Sequence, residues 1–344
     1  RDRSPSRGLG DVYKRQGLYR LSYSDVSLLY PSLITTMLSV LFSLCMFRMP
    51  AHPAEAVALP QQTVSKEVRV VTPPSKWEDE RFLLRHTLYT KADSALVVAL
   101  LKDAPEQDEV LYYARRLIGV PYVGGTLEKA DPEKLVVNLA QLDCTTLVET
   151  VWALVKTHRE GSSRFADYCR NLMRLRYRNG RMDGYLSRLH YFTWWMHDNL
   201  DKGIMQEVRD DRHFTAKMVV NNYYMSRFAE KYPFLKGKQA RIDSIAAMER
   251  RFNGADGTFL PATATALSRQ QLACIQNGDL IAIVTRKKGL DYSHLGFAVW
   301  GKDGKLHLLN ASSIHKKVVE EPKTLRQYLR EHPTSIGIRL FRLK

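Results

Sequence analysis

A cysteine, a histidine and an asparagine in this sequence have the residue types and the order that nucleophilic attack on an amide requires. Cys144 follows Asp143, a residue type that begins helices, and precedes an apolar segment that runs to Val155. His294 lies 150 residues after Cys144, close to the roughly 130–150 residues that separate nucleophile and base in one group of cysteine hydrolases. In such a pair the histidine takes the thiol proton and the thiolate attacks a carbonyl carbon.

Two predicted strands bring the histidine and the asparagine together. Residues 294–300 read as a strand, 301–304 as a turn and 305–310 as the partner strand. The two ends of an antiparallel hairpin lie side by side, so Asn310 is expected to orient the His294 ring. The predicted helix start at Cys144 favours a thiolate, because a helix N-terminus carries a partial positive charge. The other interpretation of Cys144, a small and inert core residue, stays open because buried cysteines are common.

Four motifs surround these residues in a fixed order along the chain. They are YVGGTLE (Tyr122 to Glu128), LDCTTLVE around Cys144, YRNGRMDGYLSRLHYFTWW (Tyr177 to Trp195) and SHLGF around His294. Together they resemble the NlpC/P60 superfamily of cell-wall cysteine hydrolases, and within it the DUF1460 family of N-acetylmuramoyl-L-alanine amidase-like proteins. The resemblance covers roughly residues 80–344. One departure is that the usual Asp-Cys-Ser-Gly is Asp-Cys-Thr-Thr here, so contacts made by that serine do not carry over.

The resemblance implies a fold, a reaction and a set of site residues. The implied fold is α+β, with a papain-like core in which the nucleophile's helix packs on an antiparallel sheet and large helical additions surround it. The implied reaction cleaves the amide between N-acetylmuramic acid and L-Ala in peptidoglycan fragments, without a cofactor. Cys144, His294 and Asn310 are the expected catalytic residues, and the backbone N–H of Cys144 is an expected oxyanion donor. The expected substrate-binding residues are Tyr122, Gly124, Gly125, Asp143, Arg188, His190, Tyr191 and Ser293.

Simpler roles compete with several of these assignments. The paired glycines Gly124 and Gly125 let a backbone approach a ligand, but they also suit an ordinary turn. The aromatic residues between 185 and 195 can stack on sugar rings, while a buried aromatic core explains most of them equally well. In the functional interpretation Arg188 holds a substrate carboxylate through its two-pronged guanidinium.

Two other functions remain open at this stage. One is an endopeptidase of the same superfamily that cuts the stem peptide after D-Glu. The other is a catalytically inactive wall-binding module that uses the aromatic and basic surface, and acyl transfer by the same three residues is a further possibility. The presence of all three catalytic residue types argues against the inactive module.

The order of elements predicts an α+β fold. Helices are expected at 77–89, 94–104 and 108–117 and around Cys169, which lies on an apolar helical stripe, and a largely helical insertion is expected over about 158–270. Strands are expected at 278–284, 294–300, 305–310 and 335–341, with a helix at 324–331. Helices first and strands later favour segregated layers over a parallel sheet. Residues 77–344 are therefore taken as one enzymatic domain.

The N-terminal region is expected to direct export. Residues 1–20 resemble a non-native scar, 21–56 a signal peptide or an N-terminal anchor, and 57–76 a linker. The apolar core from Met37 to Phe47 is short for a spanning helix, and Ala54-Glu55-Ala56 has the form of a cleavage site. Cys45 resembles a degenerate lipidation site. We expect a periplasmic or envelope-associated protein that meets the membrane only through this segment.

Composition excludes some partners and leaves others open. The net charge is +16, and residues 1–56 contribute only +3 of it, so the basic character belongs to the predicted domain. No nucleic-acid motif accompanies the scattered Lys and Arg residues, which fit either an acidic wall glycopeptide or a generally solvated basic surface. No spacing supports a metal site, and His190 and His197 lack a completing ligand. Without Cys45 three cysteines remain, so at least one free thiol is expected, and we expect a monomer.

Overall fold

The structure, a computed structural model, describes residues 76–103 and 107–344. The predicted scar at 1–20, the signal or anchor at 21–56 and the linker up to residue 75 lie outside the described residues. The described residues all belong to one compact unit. Within this part of the chain no helix is long and apolar enough to span a membrane.

The α-helices form in the first two thirds of the domain, with one more near the end of the chain. They are α1 (Glu80–Arg85), α2 (Lys91–Lys102), α3 (Glu109–Arg116), α4 (Cys144–Arg159), α5 (Phe165–Arg176), α6 (Phe192–Asp201), α7 (Tyr224–Arg227), α8 (Gln239–Phe252) and α9 (Leu325–Glu331). Short 3₁₀ turns occur at Lys76–Glu78, Arg178–Gly180, Tyr185–Ser187, Ala229–Lys231 and Ala262–Ala266. Reciprocal capping boxes fix the starts of α2, α4 and α9, because each cap side chain satisfies a backbone N–H that the helix itself leaves unpaired.

Most of the strands join one antiparallel sheet. The strands are β1 (Thr87–Leu88), β2 (Leu135–Val136), β3 (Met205–Val208), β4 (Ala216–Val219), β5 (Asp256–Pro261), β6 (Leu280–Thr285), β7 (Tyr292–Trp300), β8 (Leu306–Ser312), β9 (Lys317–Glu320) and β10 (Ser335–Leu343). The large sheet has the order β4-β5-β10-β6-β7-β8-β9. In addition, β3 pairs with residues 340–343 of β10, whereas β5 pairs with residues 337–338 of that strand. β1 and β2 form a separate parallel pair.

Helix α4 lies at the centre of the fold. Its side chains are buried nearly all round, and it packs on β7 and β8. Trp152 on this helix is fully buried, as is Phe297 on β7, and both belong to the core between the helices and the sheet. A second core on the other face of the sheet includes Ile281 of β6 and Leu329 of α9. β6 is buried at every position, because both of its faces are covered.

The α+β prediction is confirmed, and so are the predicted strands of the C-terminal part. β6, β7, β8 and β10 occupy the predicted segments to within a few residues, and Cys169 is buried in α5 as expected. Cys144, Cys169 and Cys274 are free thiols. The predicted helix at 77–89 is shorter than expected, since it consists of a 3₁₀ turn followed by α1.

Helices and 3₁₀ turns make up most of the regular structure over 158–270, as expected, but three strands in this range were not predicted. β3, β4 and β5 all lie in this range and extend the large sheet. β3 and β4 have four residues each, too few to give a periodic signal in the sequence. β3 and β5 are stabilised by pairing with β10, which is more than seventy residues away in the chain, so no local pattern announces them.

Candidate active site

Cys144 is the first residue of α4, and its position is fixed by the residue before it. The Asp143 carboxylate accepts the backbone N–H of Thr146 at 2.8 Å, and the Thr146 hydroxyl accepts the backbone N–H of Asp143 at 2.8 Å. This capping box holds the first turn of the helix rigidly. Asp143 is 4% exposed, so its carboxylate caps the helix that carries the sulfur.

Burial controls the protonation of the sulfur. Cys144 is 2% exposed. This burial raises the pKa of the Cys144 thiol to about 12, and the neighbouring Asp143 carboxylate adds to the increase. The backbone N–H of Leu295, next to His294, hydrogen-bonds the sulfur and acts in the opposite direction. Desolvation of the anion is the largest influence on this pKa, and it acts against the thiolate that the helix start was expected to favour.

His294 and Asn310 meet across β7 and β8, as the hairpin predicts. His294 Nε2 lies 2.9 Å from Asn310 Oδ1. An amide oxygen only accepts hydrogen bonds, so Nε2 carries the hydrogen and Nδ1 keeps its lone pair. The imidazole is thereby held in the tautomer in which Nδ1 is the free base. Gly296 permits this approach, because a Cβ there would meet Leu309 O at 2.6 Å.

A glutamate that the sequence analysis missed holds the asparagine. Asn310 Nδ2 donates to Glu321 Oε1 at 3.1 Å, which fixes the amide with its oxygen toward His294. His315 Nε2 lies 3.1 Å from the other Glu321 oxygen. The Glu321 side chain is 3% exposed, whereas that of His315 is 40% exposed. Glu321 directly follows the short strand β9, which was not predicted, so nothing in the local sequence marked it.

The surroundings of His294 favour its neutral form. Burial lowers the pKa of His294 and is the largest influence on it. The hydrogen bond to Asn310 and the Glu321 charge raise that pKa in part, while His332 lowers it further. Burial therefore acts against both charged forms, the thiolate of Cys144 and the imidazolium of His294.

Cys144 and His294 line one cavity of about 140 Å³. Two of the predicted substrate-binding residues, Tyr122 and Ser293, lie in its wall. The wall also includes the aromatic ring of Tyr328, stacked 6.3 Å from the His294 ring. The remaining lining residues are Ile283, Lys287, Ser313, Ile314, His332, Thr334 and Ser335. None of the lining residues is a carboxylate, so the cavity offers a thiol, imidazoles, hydroxyls and one ammonium group to a substrate.

A second and smaller cavity, of about 40 Å³, lies beside Thr145, the residue after Cys144. Four more of the predicted substrate-binding residues line it, namely Gly125, Asp143, Arg188 and His190. Gly124 and Tyr191 line neither of these two cavities. Gly125 has a φ of +75° in a turn that the residues after it complete, so the turn interpretation of the glycine pair fits its backbone.

Arg188 is already engaged by two carboxylates of the protein. Its Nη2 donates to Glu128 at 2.7 Å, and its Nε lies 3.2 Å from Glu133. Burial alone would lower the pKa of Arg188, but these two carboxylates raise it. The expectation that Arg188 holds a substrate carboxylate through both prongs is therefore wrong for this state of the site. The partners are 55 and 60 residues away in sequence, and no local pattern pairs them with Arg188.

His190 and Tyr191 are packed into the protein. His190 Nε2 donates to the Tyr185 carbonyl at 2.9 Å, and the His190 side chain is buried. The Tyr191 hydroxyl donates to Glu249 of α8 at 2.6 Å and accepts the Met225 N–H at 2.7 Å. Tyr191 thus joins two helices, because the only polar atom of its side chain is used by α7 and α8.

Comparison with known proteins places this chain in a family. The model of the AmiA-like family, described as N-acetylmuramoyl-L-alanine amidase-like, matches residues 112–338. An N-acetylmuramoyl-L-alanine amidase from Bacteroides uniformis is 36% identical, with a TM-score of 0.64 over 69% of this chain and 98% of that chain. A Bacteroides fragilis protein that was given the name of a xylanase is 37% identical, with a TM-score of 0.63 over 67% of this chain and 99% of that chain.

A more distant structure shares the fold. A Legionella pneumophila protein of family DUF1460 is 22% identical, with a TM-score of 0.56 over 73% of this chain and 93% of that chain. No curated protein matches the sequence. The family match spans both Cys144 and His294, and the similar amidase is covered almost completely. The chain belongs to the AmiA-like family of N-acetylmuramoyl-L-alanine amidase-like proteins.

Proposed function

We propose that this protein is a cysteine amidase that hydrolyses the bond between N-acetylmuramic acid and L-Ala in peptidoglycan fragments during cell-wall turnover. The observation that carries the proposal is the shared cavity, which presents the sulfur of Cys144 and the ring of His294 to the same small space. The bond between Leu295 N–H and the sulfur fixes the nucleophile against the strand that bears the base. Family membership supplies the substrate class.

The first half of the reaction forms a thioester. Nδ1 of His294 takes the thiol proton as the sulfur attacks the carbonyl carbon of the lactyl group on muramic acid. The backbone N–H of Cys144, at the first position of α4 where a helix leaves its N–H groups unpaired, donates to the developing oxyanion. The imidazolium then protonates the nitrogen of L-Ala, the C–N bond breaks, and the free stem peptide leaves.

The second half restores the enzyme. Neutral His294 removes a proton from water, and the resulting hydroxide attacks the thioester carbonyl carbon. The C–S bond breaks and the proton on His294 returns to the sulfur, which releases the muramic acid carboxylic acid. Asn310 keeps Nε2 protonated through both halves, so only Nδ1 changes its protonation state. None of these steps requires a cofactor.

The arrangement of elements supports a papain-like core of the NlpC/P60 type. In that core the nucleophile begins a helix, while the base and its orienting residue come from adjacent antiparallel strands. Here α4 begins with Cys144, His294 lies on β7, and Asn310 lies on β8, to which β7 pairs. Helix α4 packs on both strands.

We assign a different part of the substrate to each of the two cavities. Tyr122 and Ser293 lie in the wall around the nucleophile, so we assign them to the groups next to the scissile amide. Gly125 and Thr145 border the second cavity, which we assign to a part of the substrate further from the amide. In this proposal Arg188 and His190 shape that cavity, while Gly124, Asp143 and Tyr191 hold the loops and helices around it.

Two alternative activities make different demands on the site. A glycosidase, the activity in the name of the B. fragilis protein, requires two carboxylates that flank the scissile bond. The cavity at Cys144 has no carboxylate among its lining residues, which argues against that chemistry here. An endopeptidase that cuts after D-Glu would use the same three catalytic residues, and only its products distinguish it.

We also propose that the protein is exported, since the wall lies outside the cytoplasmic membrane. The motivating observation is the apolar segment from Met37 to Phe47 followed by Ala54-Glu55-Ala56. N-terminal sequencing of the protein recovered from the periplasm of an expressing bacterium is the test. We expect a chain that begins after residue 56, and retention of the whole protein in the cytoplasm would contradict export.

The proposed activity is tested with a disaccharide-tetrapeptide. The fragment is incubated with the enzyme, with Cys144→Ala and with Cys274→Ala, and the products are identified by mass spectrometry. Cys274 is a matched control, because it is half-buried and hydrogen-bonds Asp210 outside the cavity. We expect disaccharide and intact tetrapeptide from the enzyme and from Cys274→Ala, and none from Cys144→Ala. Release of a dipeptide with the sugar still bound to L-Ala-D-Glu would identify an endopeptidase, and turnover by Cys144→Ala would refute the cysteine mechanism.

A further inference from the structure

A basic cavity lies at the opposite end of α4 from the nucleophile. Lys156, which lines it, follows Cys144 by twelve residues on this helix, which corresponds to about 18 Å along the helix axis. The cavity has a volume of about 420 Å³, within the roughly 300–1,000 Å³ typical of small-molecule sites. It shares no lining residue with the cavity at Cys144.

Five cationic side chains from several elements converge on this space. Lys156 comes from α4, Arg170 and Arg174 from α5, Arg181 from the loop after a 3₁₀ turn, and Lys202 from the end of α6. Glu78 is the only carboxylate among the lining residues. Because these side chains come from separate segments of the chain, they enclose one cavity, which basic residues scattered over an exposed face would not do.

Carboxylates of the protein neutralise only part of this charge. Lys202 is paired with Asp198, and Arg170 with Asp167. Arg174 has a looser partner, because its Nη1 lies 3.7 Å from Glu160.

Two of the five cationic side chains have no carboxylate partner in the described residues. Neither Lys156 nor Arg181 forms an ion pair with any carboxylate at 76–103 or 107–344. Arg170 is engaged by the protein, because its Nη1 donates to Asp167, its Nη2 donates to the Glu78 carbonyl, and its Nε is buried. Two cations without a carboxylate partner therefore line the same space.

We propose that this cavity binds a phosphate-bearing anion about the size of a sugar phosphate. A phosphate monoester carries close to two negative charges at neutral pH and several strong acceptor oxygens, which match the two cations that no carboxylate neutralises. The planar guanidinium group of Arg181 suits the geometry of phosphate oxygens. Such a group is present both in soluble phosphate esters and in the headgroups of anionic lipids.

The binding test uses glycerol 3-phosphate and inorganic pyrophosphate as probes. Calorimetric titrations are run on the whole protein at constant ionic strength, with sodium chloride as the ionic control. The test variant is Lys156→Gln with Arg181→Gln. The matched control is Lys302→Gln with Lys305→Gln, which removes the same charge from the exposed turn between β7 and β8.

The proposal predicts saturable binding of a probe to the protein and to the control variant. Binding to the cavity variant should be at least about tenfold weaker, since charge-assisted hydrogen bonds are lost. Hydrolysis of wall fragments should be unchanged in both variants, so a failure here is separate from a failure of the proposed amidase. Equal weakening in both variants would show a general charge effect and would overturn the proposal.

Vesicles distinguish the two sources of the phosphate group. Cosedimentation with phosphatidylglycerol vesicles is compared with phosphatidylcholine vesicles, again with both variants. Binding to phosphatidylglycerol that the cavity variant alone loses would identify a lipid headgroup. Binding of the soluble probes without vesicle binding would identify a free phosphate ester. Absence of cavity-dependent binding to both probes and vesicles would overturn the inference.

Discussion

Gly296 provides a direct test of how the His294–Asn310 pair is held. This glycine lies on β7 two residues after His294, where β7 and β8 approach each other. A Cβ at this position would meet Leu309 O at 2.6 Å and Asn310 Cβ at 3.0 Å. The substitution Gly296→Ala therefore places a methyl group between the strand of the base and the strand of its orienting residue.

The geometry gives the size of the effect. Opening the 2.6 Å contact to the 3.0 Å that real Cβ atoms keep requires a shift of about 0.4 Å. The neighbour is a backbone carbonyl, so the strand itself must move. A comparable shift of Asn310 would stretch its 2.9 Å bond to His294 beyond about 3.2 Å, the limit of a good N–H···O bond. We expect a loss of about 1–3 kcal/mol in the free energy of unfolding, and a fall in kcat of roughly tenfold or more.

The assay measures kcat on a disaccharide-tetrapeptide together with the free energy of unfolding in urea. Gly301→Ala is the matched control, because it lies at the turn end of the same hairpin and its Cβ would also meet an atom at 2.6 Å. That atom is Asp303 Oδ1, at the end of a side chain that can turn away. Gly301→Ala should therefore retain kcat and lose less stability.

The reasoning fails in one clear case. If folded Gly296→Ala keeps kcat within twofold of the parent enzyme, then the approach of β7 and β8 does not position the base. A loss of kcat in Gly301→Ala of the same size would equally refute it, since the effect would then belong to the hairpin as a whole.

Three further predictions concern charge in buried places. Glu321→Gln removes a charge that raises the pKa of His294, so the pKa of His294 should fall. Since a protonated His294 cannot act as a base, the acid limb of the kcat/KM profile should move to lower pH. Burial holds the pKa of His190 well below its ordinary value. Below about pH 6.5 the unfolded chain therefore binds a proton that the folded state does not, and the free energy of unfolding falls as the pH falls. His190→Gln should reduce this loss when urea unfolding at pH 7.5 is compared with unfolding at pH 5.5. Glu149→Gln removes the carboxylate that lies 2.7 Å from the buried Arg176 and should cost about 3–5 kcal/mol of unfolding free energy.

Each of these has a matched control or a contrary result. An acid limb at the same pH in Glu321→Gln would show that its charge does not reach the base. An equal pH dependence of stability in His190→Gln would assign the acid effect to other groups. For Glu149 the control is Glu320→Gln, whose partner Arg115 is half exposed at 3.1 Å and which should cost less than about 1 kcal/mol.

The sequence was sufficient for the features that depend on neighbours in the chain. The start of α4 followed from Asp143 and the apolar run, because a helix cap is a local interaction. The His294–Asn310 contact followed from a hairpin in which the two residues are sixteen positions apart and whose short turn fixes the pairing of its strands.

The features that the sequence did not reveal depend on distant partners. Arg188 pairs with Glu128 and Glu133 across more than fifty residues, so its side chain was assigned to a substrate that it does not face freely. Glu321 gains its role only because β9 lies beside β8. The raised pKa of Cys144 reflects burial by the whole fold, which the helix start alone does not reveal.

The most direct test of the central claim is the mass of the acylated enzyme. The protein is mixed with a disaccharide-tetrapeptide, quenched in acid within milliseconds to seconds, and analysed intact and after digestion. The account predicts a thioester on Cys144 whose added mass is that of the disaccharide acyl group without any amino acid. An adduct that also contains L-Ala and D-Glu would contradict the assigned bond. Turnover with no adduct on Cys144 at any time, together with activity in Cys144→Ala, would contradict the cysteine mechanism itself.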